Sequence, residues 1–157
     1  MSHSAPRAER GAVRAVEEPV NQETKMKEVI IGTEFVSNTI VSENNTALSV
    51  GSGESLVFST PMMIALMENA SYLCLKPFLD ESESSVGIKM DVSHESASPI
   101  GLAISAMAKI TEANGKIITF EVIASDAFGV IGRGTHQRAV INTEKFISKA
   151  NQKLSKI

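Results

Sequence analysis

Aromatic residues, cysteine and long apolar runs are all scarce in this chain of 157 residues. Aromatic side chains make up only 4% of it, too few for the stacking surfaces that single-stranded nucleic acids need. The net charge of −3 likewise gives no basic footprint for nucleic acid. The single Cys74 excludes an internal disulfide and is typical of a reducing compartment. We therefore expect a cytoplasmic protein that binds no nucleic acid.

Several signatures of membrane proteins and of familiar catalytic sites are also missing. The longest apolar run is too short to span a bilayer and carries Glu68, and residues 1–28 lack the apolar stretch of a secretion signal. Three scattered histidines and one cysteine do not make metal-ligand spacing. Neither a phosphate-binding glycine loop nor a G-x-S-x-G motif occurs. We expect no membrane span, no metal and no cofactor.

The N-terminal residues differ in composition from the rest of the chain. They are rich in Ala, Arg, Glu and Pro and show no sustained apolar period. We expect residues 1–26 to form a disordered extension and residues 27–157 to form a single domain.

One apolar segment, residues 58–78, dominates the domain and reads FSTPMMIALMENASYLCLKPF. Ser59 or Thr60 can cap a helix here, and Pro61 fits the first helical position, where a missing N–H costs nothing. The segment is apolar on nearly every face of that helix, which is typical of a buried helix.

Strand patterns surround this helix in the sequence. They cover residues 34–41, 46–50, 86–94, 102–111, 116–125 and 130–141. Asn114-Gly115 is the strongest hairpin signal in the chain. Residues 143–154 have the apolar spacing of a short amphipathic helix that Thr143 can cap.

This order of elements, strand, long buried helix and four strands in a meander, predicts an α+β protein. A helix that is apolar on most faces must be wrapped, and a curled antiparallel sheet does this. That is the pattern of the hotdog fold. One sheet covers only part of such a helix, so we also expect a homodimer.

Glu68 is the one ionisable residue in the middle of the apolar helix. A desolvated carboxylate must be paired, protonated or functional. Thr60 lies eight residues earlier, about 80° away around the helix axis, so both side chains can border one pocket. His94 ends a strand, and a histidine facing a carboxylate can act as a general base or acid.

Each of these residues also has a purely structural interpretation. Thr60 can be a helix cap, Glu68 a carboxylate that an arginine satisfies, and His94 a strand-end residue. His136 is interpreted as a sheet residue, and Arg138 as the partner of a carboxylate or a phosphate.

Three blocks closely resemble the fluoroacetyl-CoA thioesterase family of hotdog proteins. They are VFSTPMMIALMENAS, SVGIKMDVSHESASPIG and IGRGTHQRAVINTEKF. They combine a T-x7-E helix, a G-x6-H strand and a G-x-G-T-H-x-R strand at matching separations. The resemblance extends over roughly residues 33–153 and implies an acyl-CoA thioesterase.

The resemblance also implies roles for individual residues. Thr60, Glu68 and His94 fall on the family's catalytic Thr-Glu-His set. Gly87 falls on a glycine whose backbone contacts the acyl thioester, and Arg138 falls on an arginine near the active site.

The stretch before the helix departs from the family pattern. The fluoroacetate-specific enzyme has a phenylalanine lid there, whereas this chain reads VGSGES, with Gly51 and Glu54 in place of aromatics. The resemblance therefore implies the thioesterase class and leaves the identity of the acyl group open.

For the reaction, we expect the helix N-terminus to offer the N–H groups of Met62 and Met63 to the thioester oxyanion. Glu68 then attacks the carbonyl or activates water, and His94 transfers the proton. Two alternatives stay open: a hotdog hydratase or dehydratase acting on acyl thioesters, and a non-catalytic acyl-CoA binding module.

Overall fold

The computed structural model describes residues 25–157, which form one five-stranded sheet and one long helix. The strands are β1 (Glu34–Ile40), β2 (Glu83–His94), β3 (Ala103–Asn114), β4 (Ile117–Asp126) and β5 (Gly129–Asn142). The helices are α1 (Ala47–Val50), α2 (Thr60–Leu75) and α3 (Thr143–Asn151). Short 3-10 turns at Lys76–Phe78 and Gln152–Lys156 follow α2 and α3. The predicted α+β class is confirmed.

The sheet is antiparallel, with strand order β1-β3-β4-β5-β2. Only β3, β4 and β5 form the expected meander. The prediction of four strands in a meander is wrong, because the chain leaves α2 at the far edge of the sheet and β2 pairs with β5. This placement makes β2 an edge strand.

Helix α2 packs along one face of the sheet and supplies much of the core. Its buried residues are Met63, Met67, Ala70, Ser71, Cys74 and Leu75. Pro61, Ala65 and Asn69 lie on the opposite side and are exposed. The helix is therefore covered on one side only, although its sequence is apolar nearly all round. This one-sided cover is the condition under which a second copy was expected.

Ser59, and not Thr60, caps this helix. Its Oγ accepts a hydrogen bond from the Met62 N–H at 3.2 Å, and its extended backbone marks the residue before the first turn. Thr60 is the first helical residue, so its hydroxyl is not needed by the helix end. The interpretation of Thr60 as a cap is wrong.

Two other local predictions need correction. Residues 46–50 form no strand, because Thr46 caps the short helix α1 in a capping box with Ser49. At the C-terminus, Asn142 caps α3 where Thr143 was expected to do so. The hairpin at Asn114-Gly115 is confirmed, with Gly115 at φ 62° in the turn.

A β-bulge interrupts β2 next to Gly87. Gly87 pairs with Arg138 and Lys89 pairs with Gln137, so Ile88 has no partner on β5. In a regular strand Ile88 would share a face with Met90 and Val92, yet it is 51% exposed. Met90 and Val92 pack against the core. The bulge therefore switches which residues of β2 face the helix.

The predicted extension lies almost wholly outside the described residues, which begin at Lys25. The Lys25 N–H already donates to Glu83 Oε2 at 2.9 Å, and Met26 packs against the core. Among residues 25–157, no helix is both long and apolar enough to cross a membrane.

Ser59→Ala should lower the free energy of unfolding by about 1 kcal/mol, because the Met62 N–H loses its acceptor. Thr60→Ala leaves the cap intact and should cost much less. Urea denaturation of the two variants beside the parent chain measures both values. A Ser59→Ala variant as stable as the parent chain would contradict the capping role of Ser59.

Candidate active site

The first group of polar side chains joins Thr60 to His94. Thr60 begins α2, and His94 ends β2 beside it, so that Thr60 Oγ1 lies 2.7 Å from His94 Nδ1. Because Ser59 serves the helix end, the Thr60 hydroxyl is free to bond this imidazole. The structure thus brings together two of the three residues that the sequence singled out as catalytic.

His94 has one ring nitrogen in use and one without a partner. Its Nε2 is buried and makes no hydrogen bond in the described part of the chain. Burial lowers the pKa of His94 below its usual value of 6.5, while the Ser96 backbone acts the other way. The imidazole is therefore neutral at pH 7 and able to accept or donate a proton.

A cleft of about 320 Å³ opens beside this pair. Ser52, Phe58 and Ala97 line it together with Thr60 and His94. The segment that contains Ser52 contributes no aromatic ring to the lining, as its sequence VGSGES requires.

A larger cleft of about 610 Å³ lies at the opposite end of β2. Its lining includes Lys25, Glu83, Lys116 and Lys145 but no histidine. Size alone would favour this cleft over the one beside His94, so the candidate active site is chosen by its chemistry: a threonine hydroxyl and a neutral imidazole in contact.

Glu68 belongs to a second group, further along α2. Its side chain is 42% exposed, so the expectation of a fully buried carboxylate is wrong. Glu68 Oε2 lies 3.7 Å from Arg138 Nη1, an ion pair that is too long for a direct hydrogen bond. The interpretation of Arg138 as the partner of a carboxylate is confirmed.

Gly87 makes room for this carboxylate. A Cβ atom built on Gly87 would collide with Glu68 Oε2 and would lie 3.2 Å from His136 Cε1 and 3.5 Å from Arg138 Nη1. A glycine therefore lets β2 pass this close without displacing the end of the Glu68 side chain. The sequence-predicted residues Gly87, Glu68 and Arg138 meet at one point.

Arg138 is buried and held by several acceptors. Its Nε donates to Ser85 Oγ at 2.8 Å, its Nη2 to the Ser85 carbonyl at 2.9 Å, and its Nη1 to His136 Nε2 at 3.2 Å. Burial lowers the pKa of Arg138, and the Glu68 carboxylate opposes that change. The guanidinium remains charged and cannot donate its proton in catalysis.

His136 is the member of this group that the sequence interpretation missed. It was placed in the sheet without a function, yet it contacts Arg138 directly. A signal was present, because residues two apart on a strand share a face. His136 therefore lies on the same face as Arg138.

The two groups do not touch within one chain. Glu68 forms no hydrogen bond or ion pair with His94 among the described residues. Eight helical residues separate Thr60 from Glu68, about 12 Å along the axis. The expected contact between His94 and Glu68 is therefore not made within one chain.

The two N–H groups that were expected to act as donors lie at the helix N-terminus. The Met62 N–H donates to Ser59 Oγ, and the Met63 N–H donates to the Ser59 carbonyl at 2.9 Å. Both groups already have acceptors within the chain, so the structure shows no unused donor there, and the assignment of Met62 and Met63 to the oxyanion stays a prediction.

Cys74 does not supply a nucleophile. Burial raises the pKa of its thiol to about 11, and the thiol donates to the Thr33 carbonyl at 3.3 Å. It is therefore protonated at neutral pH, and only the thiolate attacks carbonyl carbon efficiently.

Fold and site together define a hotdog-fold thioester hydrolase, and solved structures agree with this class. The fluoroacetyl-CoA thioesterase FlK matches with a TM-score of 0.75 and 34% identity, over 81% of this chain and 98% of that one. The Thermus thermophilus protein TTHA0967, a thioesterase superfamily member, matches with a TM-score of 0.75 over 83% of this chain and 96% of that one. Its 23% identity makes this second likeness one of fold alone.

The sequence comparisons give the family. The profile of the fluoroacetyl-CoA-specific thioesterase family matches residues 41–144. The fluoroacetyl-CoA thioesterase of Streptantibioticus cattleyicolor is 40% identical over 97 residues, which are 62% of this chain and 70% of that protein. The chain belongs to the fluoroacetyl-CoA-specific thioesterase family.

Gly87→Ala should displace the Glu68 carboxylate and slow thioester hydrolysis about 10²-fold, the usual cost of misplacing a reacting group by roughly 1 Å. Gly53→Ala is the matched control, because a Cβ there meets only Ala47 Cβ at 3.4 Å. Thiol release from acyl-CoA measures both. A Gly87→Ala enzyme as fast as the control would contradict this account of the glycine.

Proposed function

We propose that this protein hydrolyses a small acyl-CoA thioester with Thr60, Glu68 and His94 as its catalytic set. The observation that carries this proposal is the contact between Thr60 Oγ1 and His94 Nδ1 at the mouth of a cleft. Membership of the thioesterase family supplies the reaction class.

His94 is the proton carrier in this proposal. It is neutral at pH 7, its Nδ1 is oriented by Thr60, and its Nε2 has no partner among the described residues. A neutral imidazole in this state can take a proton from water and give it to the leaving thiolate.

Glu68 supplies the negative charge, either by attacking the carbonyl carbon or by activating water. Arg138 holds its carboxylate from one side, and the missing side chain of Gly87 leaves the other side open. Direct attack expels the thiolate and leaves an acyl–Glu68 anhydride, which water then opens. In a single turnover in ¹⁸O-labelled water, label that appears in Glu68 comes from opening at the Glu68 carbonyl and rules out the pure water route.

The carbonyl oxygen also has candidate donors other than Met62 and Met63. We assign this role to the backbone beside Gly87, where the bulge leaves Ile88 without a partner on β5. Backbone N–H groups at such a position stabilise a developing oxyanion without reorganisation.

The separation of the two groups favours a homodimer. A second copy can bring its Glu68 to the Thr60–His94 pair, which the same chain does not do. Two features leave room for that copy. The side of α2 that carries Pro61 and Ala65 is exposed, and the edge strand β2 exposes Ile88.

The acyl group is one that needs no aromatic lid. Gly51 and Glu54 are exposed, and Phe58 is the aromatic residue that lines the cleft. We therefore favour a small acyl-CoA other than fluoroacetyl-CoA. An acyl-CoA substrate and the unpaired, buried Cys74 both favour a cytoplasmic location.

Glu68→Gln should lower kcat by about 10²- to 10⁴-fold, because an amide neither attacks the carbonyl nor accepts a proton. Glu121→Gln, at an exposed position of β4, is the matched control and should keep the parent rate. A thiol-release screen over acyl-CoAs of graded chain length measures both. Unchanged turnover by Glu68→Gln would remove Glu68 from the reaction.

Mixing two inactive variants tests the shared site. Glu68→Gln and His94→Ala should each be inactive alone, and their mixture should recover up to about a quarter of parent activity. The reason is that a mixed dimer with sites built across subunits contains one intact Glu68–His94 combination. Sites confined to single chains would give no recovery after refolding the two variants together.

A further inference from the structure

His136 is buried at 1% exposure, and its two ring nitrogens have different partners. Nδ1 lies 2.8 Å from the Lys89 carbonyl, and Nε2 lies 3.2 Å from Arg138 Nη1. A guanidinium has only donors, so Nε2 must be the acceptor, and a carbonyl has only lone pairs, so Nδ1 must carry the hydrogen. The two contacts together define a neutral imidazole with its proton on Nδ1.

The surroundings hold this ring in place. The Phe120 ring stacks on it at 5.9 Å between centroids and 28° between planes. The Lys89 carbonyl that accepts from Nδ1 comes directly after the bulge at Ile88. Three strands thus fix the ring: β5 carries it, Phe120 of β4 stacks on it, and a carbonyl of β2 accepts its hydrogen bond.

We propose that His136 is a positioning residue, which in its neutral form orients Arg138 and through it the Glu68 carboxylate. This inference deepens the proposed function, because it concerns the same carboxylate. His136 is not a catalytic residue, since Arg138 lies between it and Glu68.

The contacts of Arg138 show why the orientation depends on His136. Ser85 binds two of its nitrogens, Nε and Nη2. The third, Nη1, is the one that faces Glu68, and His136 is its hydrogen-bond acceptor. The Glu68 carboxylate forms no hydrogen bond in the described chain and is 42% exposed, so its ion pair with Arg138 is what restrains it there.

Protonation of His136 would undo this arrangement. The imidazolium has no acceptor for Nη1 and would place a second cation against the guanidinium. Burial has the largest effect and lowers the pKa of His136 below 6.5. The hydrogen bond to the Lys89 carbonyl of β2 acts in the opposite direction and raises it. Two charged groups act on the pKa of His136: Arg138 on its own strand lowers it, and Glu68 on α2 raises it.

Two variants separate positioning from simple packing. His136→Gln keeps a donor and an acceptor but does not titrate, whereas His136→Leu keeps bulk and loses both polar groups. We expect His136→Leu to lower kcat about 10- to 100-fold with little change in KM. We expect His136→Gln to recover most of that loss at pH 8. Equal losses in the two variants would overturn the proposal.

The pH profile is the measurement that a structural role would not move. On the acid limb of the profile, log kcat/KM of the parent should fall with a limiting slope one unit steeper than that of His136→Gln. The reason is that protonation of His136 inactivates the parent, whereas the glutamine of the variant takes up no proton. His94 titrates in both enzymes and cancels in the comparison. Identical slopes would overturn the proposal.

A measurement without substrate keeps this test independent of the proposed function. The ¹⁵N shifts of His136 in the parent protein should show the neutral Nδ1–H form from pH 8 to below pH 6.5. An imidazolium or an Nε2–H form at pH 7 would overturn the proposal. Absence of thiol release with every acyl-CoA would instead refute the proposed function and leave this result standing.

Discussion

A buried guanidinium is the constraint on which the rest of this site depends. Arg138 is almost fully covered by the sheet and α2, and a desolvated charge is tolerated only when its hydrogens have acceptors and an opposite charge lies near. Ser85 and His136 supply the acceptors, and Glu68 supplies the charge. The buried guanidinium therefore requires a carboxylate on α2, in addition to the part in the reaction that we propose for Glu68. This explains why an ionisable residue interrupts an otherwise apolar helix.

The geometry of that helix then divides the site. A rise of about 1.5 Å per residue places Glu68 roughly 12 Å beyond Thr60, further than any side chain at the end of β2 can reach back. Thr60 instead contacts His94, where the helix begins and the strand ends. One chain thus presents a hydroxyl–imidazole pair and, separately, a carboxylate–guanidinium pair. The side of α2 that the sheet leaves exposed is the face on which we propose that a second copy unites the two pairs.

Local patterns predicted the elements better than their partners. The long helix, the hairpin at Gly115 and the strand ending at His94 were readable, because each depends on neighbours in sequence. The position of β2 at the far edge of the sheet could not be predicted, because no pattern of neighbouring residues indicates which strand β2 pairs with. The choice of Ser59 over Thr60 as cap was also beyond the sequence. Both residues can cap, and the decision depends on His94, 34 residues away.

The bulge at Ile88 lets the G-x6-H motif of β2 pair with the G-x-G-T-H-x-R motif of β5, which is one residue shorter. Seven positions separate Gly87 from His94, but only six separate their partners Arg138 and Gly132 on β5. A regular ladder would keep these numbers equal, and the extra residue absorbs the difference. The bulge also changes the parity of β2, since alternate residues face opposite sides of a sheet. Ser85 and Gly87 face α2 before it, and Met90, Val92 and His94 do so after it. Without that extra residue, Gly87 and His94 could not both face α2: either Gly87 would face away from the Glu68 carboxylate or His94 would turn away from Thr60.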